Sequence, residues 1–408
     1  MVPPIPGVEQ AMATQGRDLP WFMVASGFIA VSILLSEIVL LCMRWGGVKK
    51  PPSRKLRSCS SRYVPPTDTY FSTLPGVSLW DEKLLINRYI PSNQVEDVRV
   101  LGGGAFGVVY LVRIRSRQLA AAKRLSASRR YDDVSQKLLI DEIKLQAELQ
   151  HPNIVALIGV SWTTRADLQA IFEYMRDGDL RTFLETTRGS ERESHLPVAP
   201  SDLPVTPASW SRQKLQLALD VAYALAYLHS QRPTGLIHRD LKSGNILLCD
   251  EATCHTSGGR LPHSEQSPRQ PRLRAKLGDF GVSRLMSTSH SMTTGVGTSR
   301  WLAPEVILGG GVYNAACDVY SFGVVLTELD THCVPFSDVR GHDGTMLPDI
   351  VVLQRVAHER LQPSLSPLCP EPIAALARQC MAHEAAERPS ASAICNALRD
   401  LLHEEAKM

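Results

Sequence analysis

The 408-residue chain carries 44 basic and 41 acidic residues, a formal net charge of +3, and 44% apolar residues. So near a balance excludes the global positive field that gathers nucleic acid, and the length is ample for a large core and more than one domain. The nine cysteines, Cys42, Cys59, Cys249, Cys254, Cys317, Cys333, Cys369, Cys380 and Cys395, are odd in number and irregularly spaced. They read as reduced, mostly core thiols, and the Cys249, Cys254, His255 group lacks the second ligand pair that zinc would need.

Residues 1–20 are a short, polar, Pro-containing segment, too small to fold alone. From Trp21 to Met43 the chain is almost wholly apolar, with Glu37 its only charge; at about 1.5 Å per residue such a helix crosses a bilayer. Arg44, Lys49, Lys50, Arg54, Lys55, Arg57 and Arg62 follow it, against Arg17 alone before it. The positive-inside rule therefore predicts a single-pass span at 21–43 with the N-terminus outside and the rest cytosolic. Ser26, Ala30 and Glu37 share one face of that helix and would suit a partner helix, in a homodimer or with a co-receptor; the alternative is a protonated or snorkelling Glu37. Residues 44–94 read as a basic, Pro-rich juxtamembrane linker, with one short amphipathic helix within Ser78–Ile86 that could pack on the next domain.

From Val95 the pattern alternates, breaks at a glycine cluster and resumes at Val108–Val112, which predicts two strands joined by a Gly-rich turn. A helix is expected over Asp132–Leu149, with Leu138, Leu139, Ile143, Leu145 and Leu149 as its apolar stripe, then strands at Ile154–Gly159 and Leu168–Tyr174. A further helix spans Trp210–His229. Residues 188–208 and 250–272 have loop composition and read as surface insertions. Strands first and helices later argue an α+β chain with a small, mostly antiparallel lobe before a mainly helical one.

Several clusters carry chemistry. Gly102, Gly104 and Gly107 in Gly102-Gly103-Gly104-Ala105-Phe106-Gly107-Val108-Val109 would let backbone N–H groups close over phosphates without a Cβ in the way. A Rossmann turn shares this pattern, but it links strand to helix, whereas here two strands flank the glycines. Lys123 stands on an apolar strand and is placed to hold nucleotide phosphates, with Glu142 the best carboxylate partner and Asp141 and Glu148 as alternatives. Ile237-His238-Arg239-Asp240-Leu241-Lys242-Ser243-Gly244-Asn245 sets a carboxylate, an ammonium and an amide at fixed offsets before an apolar strand. Asp240 can take a proton from an attacking hydroxyl, Lys242 can neutralise a moving phosphoryl group, and Asn245 can hold a metal ion. Asp279 in Gly278-Asp279-Phe280-Gly281 supplies a second oxygen ligand suited to Mg²⁺.

Taken in order, these clusters resemble the eukaryotic protein kinases, over residues 95–402. The resemblance implies a two-lobed kinase fold, with small lobe 95–172, hinge 173–179 and large lobe 180–402, and ATP with Mg²⁺ as cofactors. It puts Val109 and Ala121 in the nucleotide set, has the backbone of Glu173 and Met175 bond the adenine edge, and places Phe172 at the gate of the rear pocket. Asp179 could reach the ribose or cap a helix. Glu305 would pair with Arg388, and Asp318 would bond the catalytic-loop backbone. Lys242 and Thr298 resemble the serine/threonine type. The words around His151-Pro152-Asn153-Ile154, Asp240 and Trp301-Leu302-Ala303-Pro304-Glu305 are most similar to the tyrosine-kinase-like group, so the expected acceptors are Ser or Thr hydroxyls of proteins in signal transduction. Ser289, Ser291, Thr293 and Thr294 are candidate activation-loop phosphosites that could dock on Arg239. The rival reading is a catalytically weak, pseudokinase-like scaffold at the membrane. The small Ala120-Ala121-Ala122 run before Lys123 is the one departure from the family pattern.

Overall fold

The computed structural model describes residues 79, 83–104, 107–193, 210–231, 235–254, 272–280, 284–285, 299–309, 314–341 and 343–405. All lie in the second of the two units into which the chain divides, Pro75–Met408. The expected span at 21–43, the first part of the linker, Thr298 and the four candidate phosphosites lie outside the described residues. Among the described residues, no helix is long and apolar enough to cross a membrane.

The first lobe is a five-stranded antiparallel sheet of β1 (Val95–Gly103), β2 (Gly107–Ile114), β3 (Gln118–Leu125), β4 (Leu157–Ser161) and β5 (Gln169–Glu173), ordered β1-β2-β3-β5-β4. A short helix, α1 (Lys83–Ile86), precedes it, and α2 (Asp133–Glu148) packs on it. Asp132 starts α2 as an N-cap, its carboxylate accepting the Ser135 N–H at 2.9 Å. Of the expected stripe, Leu139, Ile143 and Leu149 are buried and Leu145 is half-buried against the core, whereas Leu138 is 38% exposed; Ile140 and Ala147 complete the buried face. The Ala120–Ala122 run fits its place: Ala120 and Ala122 are fully buried in one cluster with Ile90, Val112, Ile114 and Ile171.

The strand expected from Ile154 begins only at Leu157. The Val155 N–H donates to the Leu277 carbonyl at 2.9 Å, and Ile154 forms a bridge with Leu277, so these residues join the second lobe instead. That lobe contains α3 (Leu180–Glu193), α4 (Arg212–Ser230), β6 (Leu236–Ile237), β7 (Ile246–Asp250), α5 (Glu251–Cys254), β8 (Leu273–Leu277), β9 (Arg284–Leu285), α6 (Pro304–Leu308), α7 (Ala316–Thr331), α8 (Asp349–Glu359), α9 (Glu371–Cys380) and α10 (Ala391–Glu405). Strands β7 and β8 pair antiparallel, as do β6 and β9. Both insertions are partly helical: α3 continues to Glu193, and α5 occupies Glu251–Cys254 at the start of 250–272.

Helix α7 is the centre of the large lobe, with every residue from Cys317 to Asp330 buried. Most of its residues are apolar, as a helix with no solvent face requires, and its buried acids Asp318, Glu328 and Asp330 all have hydrogen-bond partners. Helix α9 packs on it, and α10 packs on α4. Cys317, Cys333, Cys369, Cys380 and Cys395 are free thiols, but Cys249 is disulfide-bonded, a correction to the expectation of reduced thiols that irregular spacing did not signal.

Candidate active site

The glycine turn closes where the Gly104 N–H donates to the Gly107 carbonyl at 2.9 Å. A Cβ on Gly107 would stand 2.2 Å from the Arg124 carbonyl oxygen, so β2 and β3 approach there only because the residue is glycine. At Gly102 and Gly104 a Cβ would meet nothing within 4 Å; the space over the turn is open, as a cradle for phosphate needs. Register places Val109 across from Lys123, and Ala121 between Leu111 and Phe172, so Val109, Ala121 and Lys123 lie on neighbouring rungs under the turn.

Lys123 Nζ meets Glu142 Oε1 at 2.6 Å and Asp279 Oδ1 at 2.9 Å. Burial disfavours its ammonium, but the charges of Glu142 and Asp279 outweigh that and raise its pKa, so the lysine stays protonated. Asp141 and Glu148 face solvent while Glu142 is buried, and the helix phase thus selects among the three carboxylates.

Below this, Asp240 Oδ2 accepts from Lys242 Nζ at 2.8 Å and from Asn245 Nδ2 at 2.9 Å, and the Asp240 carbonyl accepts from Asn245 Nδ2 at 2.7 Å. With its amide nitrogen committed to Asp240, Asn245 is left with Oδ1 as its metal-capable atom. The Gly278 N–H donates to the Asn245 carbonyl at 2.9 Å, and His238 Nε2 lies 3.1 Å from the Gly278 carbonyl oxygen. These backbone contacts seat Asp279 beside the Asp240–Asn245 loop. The adjoining Phe280 is buried edge-on against His238, with ring centroids 4.9 Å apart. Asp279 and Arg239 both have positive φ, 59° and 69°, conformations that non-glycine residues adopt at some cost and that cluster at functional sites.

The turn at Arg239 is held by Asp318. Its fully buried carboxylate accepts the His238 N–H at 2.8 Å and the Arg239 N–H at 2.9 Å, and lies 2.9 Å from His229 Nε2. Burial alone would raise the Asp318 pKa, but the His229 hydrogen bond and charge, with the backbone donors, bring it below the ordinary value. Arg388 makes the expected bidentate pair with Glu305 at 2.7 and 2.8 Å, and also donates to the carbonyls of Ala316, Ala382 and His383.

At the lobe connection, Phe172 is half-buried and Met175 is buried. Glu173 does more than its expected backbone role: its carboxylate pairs with Lys276 Nζ at 2.8 Å and accepts the Ala156 N–H at 2.7 Å. Asp179 is a helix cap, accepting the Thr182 N–H at 2.9 Å. Sequence reasoning missed Glu328, a buried carboxylate that accepts from Ser243 Oγ at 2.6 Å and from Trp301 Nε1 at 2.7 Å. An acid directly after the Val324-Val325-Leu326-Thr327 stretch of a mostly apolar helix was the signal that could have found it.

An antiparallel lobe with a glycine turn and a carboxylate-paired lysine, set on a helical lobe with an Asp/Lys/Asn loop, is the fold of a protein kinase. Residues 95–398 match the family model described as Protein kinase domain, and the chain belongs to that family. It is 30% identical over 313 residues to Mitogen-activated protein kinase kinase kinase 7 of Homo sapiens, covering 77% of this chain and 43% of that protein. It is 30% identical over 324 residues to Mitogen-activated protein kinase kinase kinase 10 of Homo sapiens, covering 79% and 29%. Wall-associated receptor kinase-like 1 of Arabidopsis thaliana is 31% identical over 315 residues, covering 74% and 37%. The chain spans less than half the length of these curated relatives.

Proposed function

We propose that this protein transfers the γ-phosphoryl group of ATP to Ser or Thr hydroxyls of proteins, as a membrane-anchored member of the tyrosine-kinase-like group acting in signal transduction. The observation that carries the reading is the paired geometry of the site: Lys123 joins Glu142 and Asp279, while Asp240 is oriented by Lys242 and Asn245. The Gly102–Gly107 turn would cover the phosphates, Lys123 would hold those nearest the nucleoside, and the backbone of Glu173 and Met175 would receive the adenine beside Val109 and Ala121. Asp279 and the free oxygen of Asn245 form a hard-oxygen donor set that fits Mg²⁺. A metal bound there supplies charge neutralisation on the phosphates. Asp240 accepts the proton of the attacking hydroxyl as its oxygen bonds to the γ-phosphorus and the bond to ADP breaks; Lys242 offsets the charge of the transferring group.

Lys242 and the relatives named as kinase kinase kinases support Ser/Thr acceptors and a signalling role. The apolar run at 21–43 and the basic residues after it support a single-pass span with the kinase domain cytosolic, and the Ser26/Ala30/Glu37 face supports a homodimer or co-receptor contact. The full-length protein should transfer label from Mg-ATP to a Ser/Thr acceptor protein, and Asp240→Asn should abolish it; equal label with both would refute the reading. For the anchor, full-length protein in sealed microsomes should resist carbonate extraction and lose its kinase domain to protease added outside. Release by carbonate would overturn that part.

A further inference from the structure

The match to the family begins at residue 95, yet the chain before it is built into the small lobe. Leu79, Leu85 and Ile90 are 7%, 0% and 5% exposed. Leu79 and Leu85 share one apolar cluster with Leu139, Ile140 and Ile143 of α2 and with Trp162 and Leu168. Ile143 is the immediate neighbour of Glu142. Arg88 Nη2 donates to the Ala147 carbonyl at 2.8 Å. That carbonyl is in the last turn of α2, where no intrahelical N–H remains to meet it and a positive charge is favoured.

The same segment is fixed to β4. The Ile90 N–H donates to the Val160 carbonyl at 2.8 Å, and the Val160 N–H donates to the Arg88 carbonyl at 2.9 Å. Tyr89 lies edge-on to Trp162 with centroids 4.5 Å apart. A Cβ on Gly159 would stand 2.6 Å from the Arg88 carbonyl oxygen, so the close approach depends on that glycine. The segment thus grips a strand of the sheet and the helix that carries Glu142.

We propose that Leu79 and residues 83–90 are a positioning element for Glu142, holding α2 at the placement from which its carboxylate reaches Lys123. This rests on the kinase reading given above. With the segment displaced, Leu139, Ile140 and Ile143 lose their cover and the Ala147 carbonyl loses its cation. Helix α2 can then shift, and the Lys123–Glu142 pair opens while Lys123 keeps Asp279. The consequence falls on nucleotide handling, not on proton removal by Asp240.

The test compares full-length wild type with Leu85→Ala, Arg88→Met and, as a remote core deletion, Leu398→Ala on α10, where Leu398 is fully buried. Arg88→Met keeps the aliphatic stem and removes only the donor, so it should fold even if Leu85→Ala does not. Transfer to dephosphorylated casein at varied Mg-ATP is read with amide hydrogen exchange across Asp133–Glu148. Both segment variants should raise the KM for ATP and lower kcat/KM about tenfold, a coupling of ordinary size, and should speed exchange in α2. Leu398→Ala should do neither while the protein is folded. Unchanged exchange in α2 of Arg88→Met, or an equal loss of kcat/KM in Leu398→Ala, would overturn the proposal. A wild type without transfer would refute the kinase reading, and the exchange comparison would still decide whether the segment holds α2.

Discussion

Glu142 and Asp318 are both buried acids in helices, and each sets a functional partner, but their surroundings differ. Asp318 belongs to a helix buried from Cys317 to Asp330 and receives two backbone N–H groups and His229. Glu142 sits on a helix whose outer side is open, with Val134 66% and Leu138 38% exposed. Its placement depends on a cluster shared with the segment before residue 95. The catalytic loop is therefore bolted to the core of the large lobe, where packing leaves no second arrangement. The lysine half of the site rests on peripheral contacts, which are the kind that regulation can loosen.

The sharpest probe of the bolted half is Asp240→Asn. It should lower transfer by about 10² to 10⁴-fold, the range for removing a general base, with unchanged circular dichroism, since Asn245 and Lys242 keep an oxygen to bond. Next is Arg388→Met, which leaves Glu305 without its cation and strands the carbonyls of Ala316, Ala382 and His383. A loss of about 3 kcal/mol in denaturant unfolding is expected, at the low end for a broken buried pair because the Glu305 side chain keeps 32% exposure. No change in midpoint would break the claim that this half is held by its core.

Glu142→Gln probes the adjustable half. It should reduce kcat/KM for ATP by about tenfold yet leave stability within about 1 kcal/mol, because Lys123 keeps Asp279 as its counter-charge and the amide oxygen of the substituted side chain can still accept from it. A large drop in stability would erase the contrast between the two halves.

The smallest effect concerns Glu328, whose pKa burial pushes up to about 7 against the opposing hydrogen bonds from Ser243 and Trp301. The folded chain then keeps a proton that the unfolded chain releases above its ordinary value of 4.5. The stability from that proton is present below pH 4.5 and is lost as pH rises through about 7. Glu328→Gln has no such loss, and its amide can still accept from Trp301 while donating to Ser243. The stability of wild type relative to Glu328→Gln should therefore fall between pH 4.5 and 7 and be flat above; a flat difference throughout would show that the acid is not buried as described.

Much of the site was legible because it is local. The glycine turn, Asp240 with Lys242 and Asn245, and Asp279 each lie within a few residues of backbone, so their motifs, the flanking strands and the resemblance to a kinase could be read in the sequence. The apolar phase of α2 was legible at Leu139, Ile143, Leu145 and Leu149 but not at Leu138, which is exposed, since the edge of the buried face depends on the sheet it meets. The short helix within Ser78–Ile86 was legible as one that could pack on the next domain, but what it packs on was not, because Leu79 and Leu85 have meaning only against α2 and β4.

The sequence by itself determined the order of the motifs, the strand-then-helix division and the candidate acids and bases, which are properties of short stretches and their spacing. Tertiary structure decided that Glu142 and not Asp141 or Glu148 faces Lys123, that Asp179 caps a helix, that Glu173 pairs with Lys276 through its side chain, and that Glu328 ties Ser243 to Trp301. Each of these choices depends on which groups distant in the chain come close enough, and dry enough, for a carboxylate to find a donor there rather than in water.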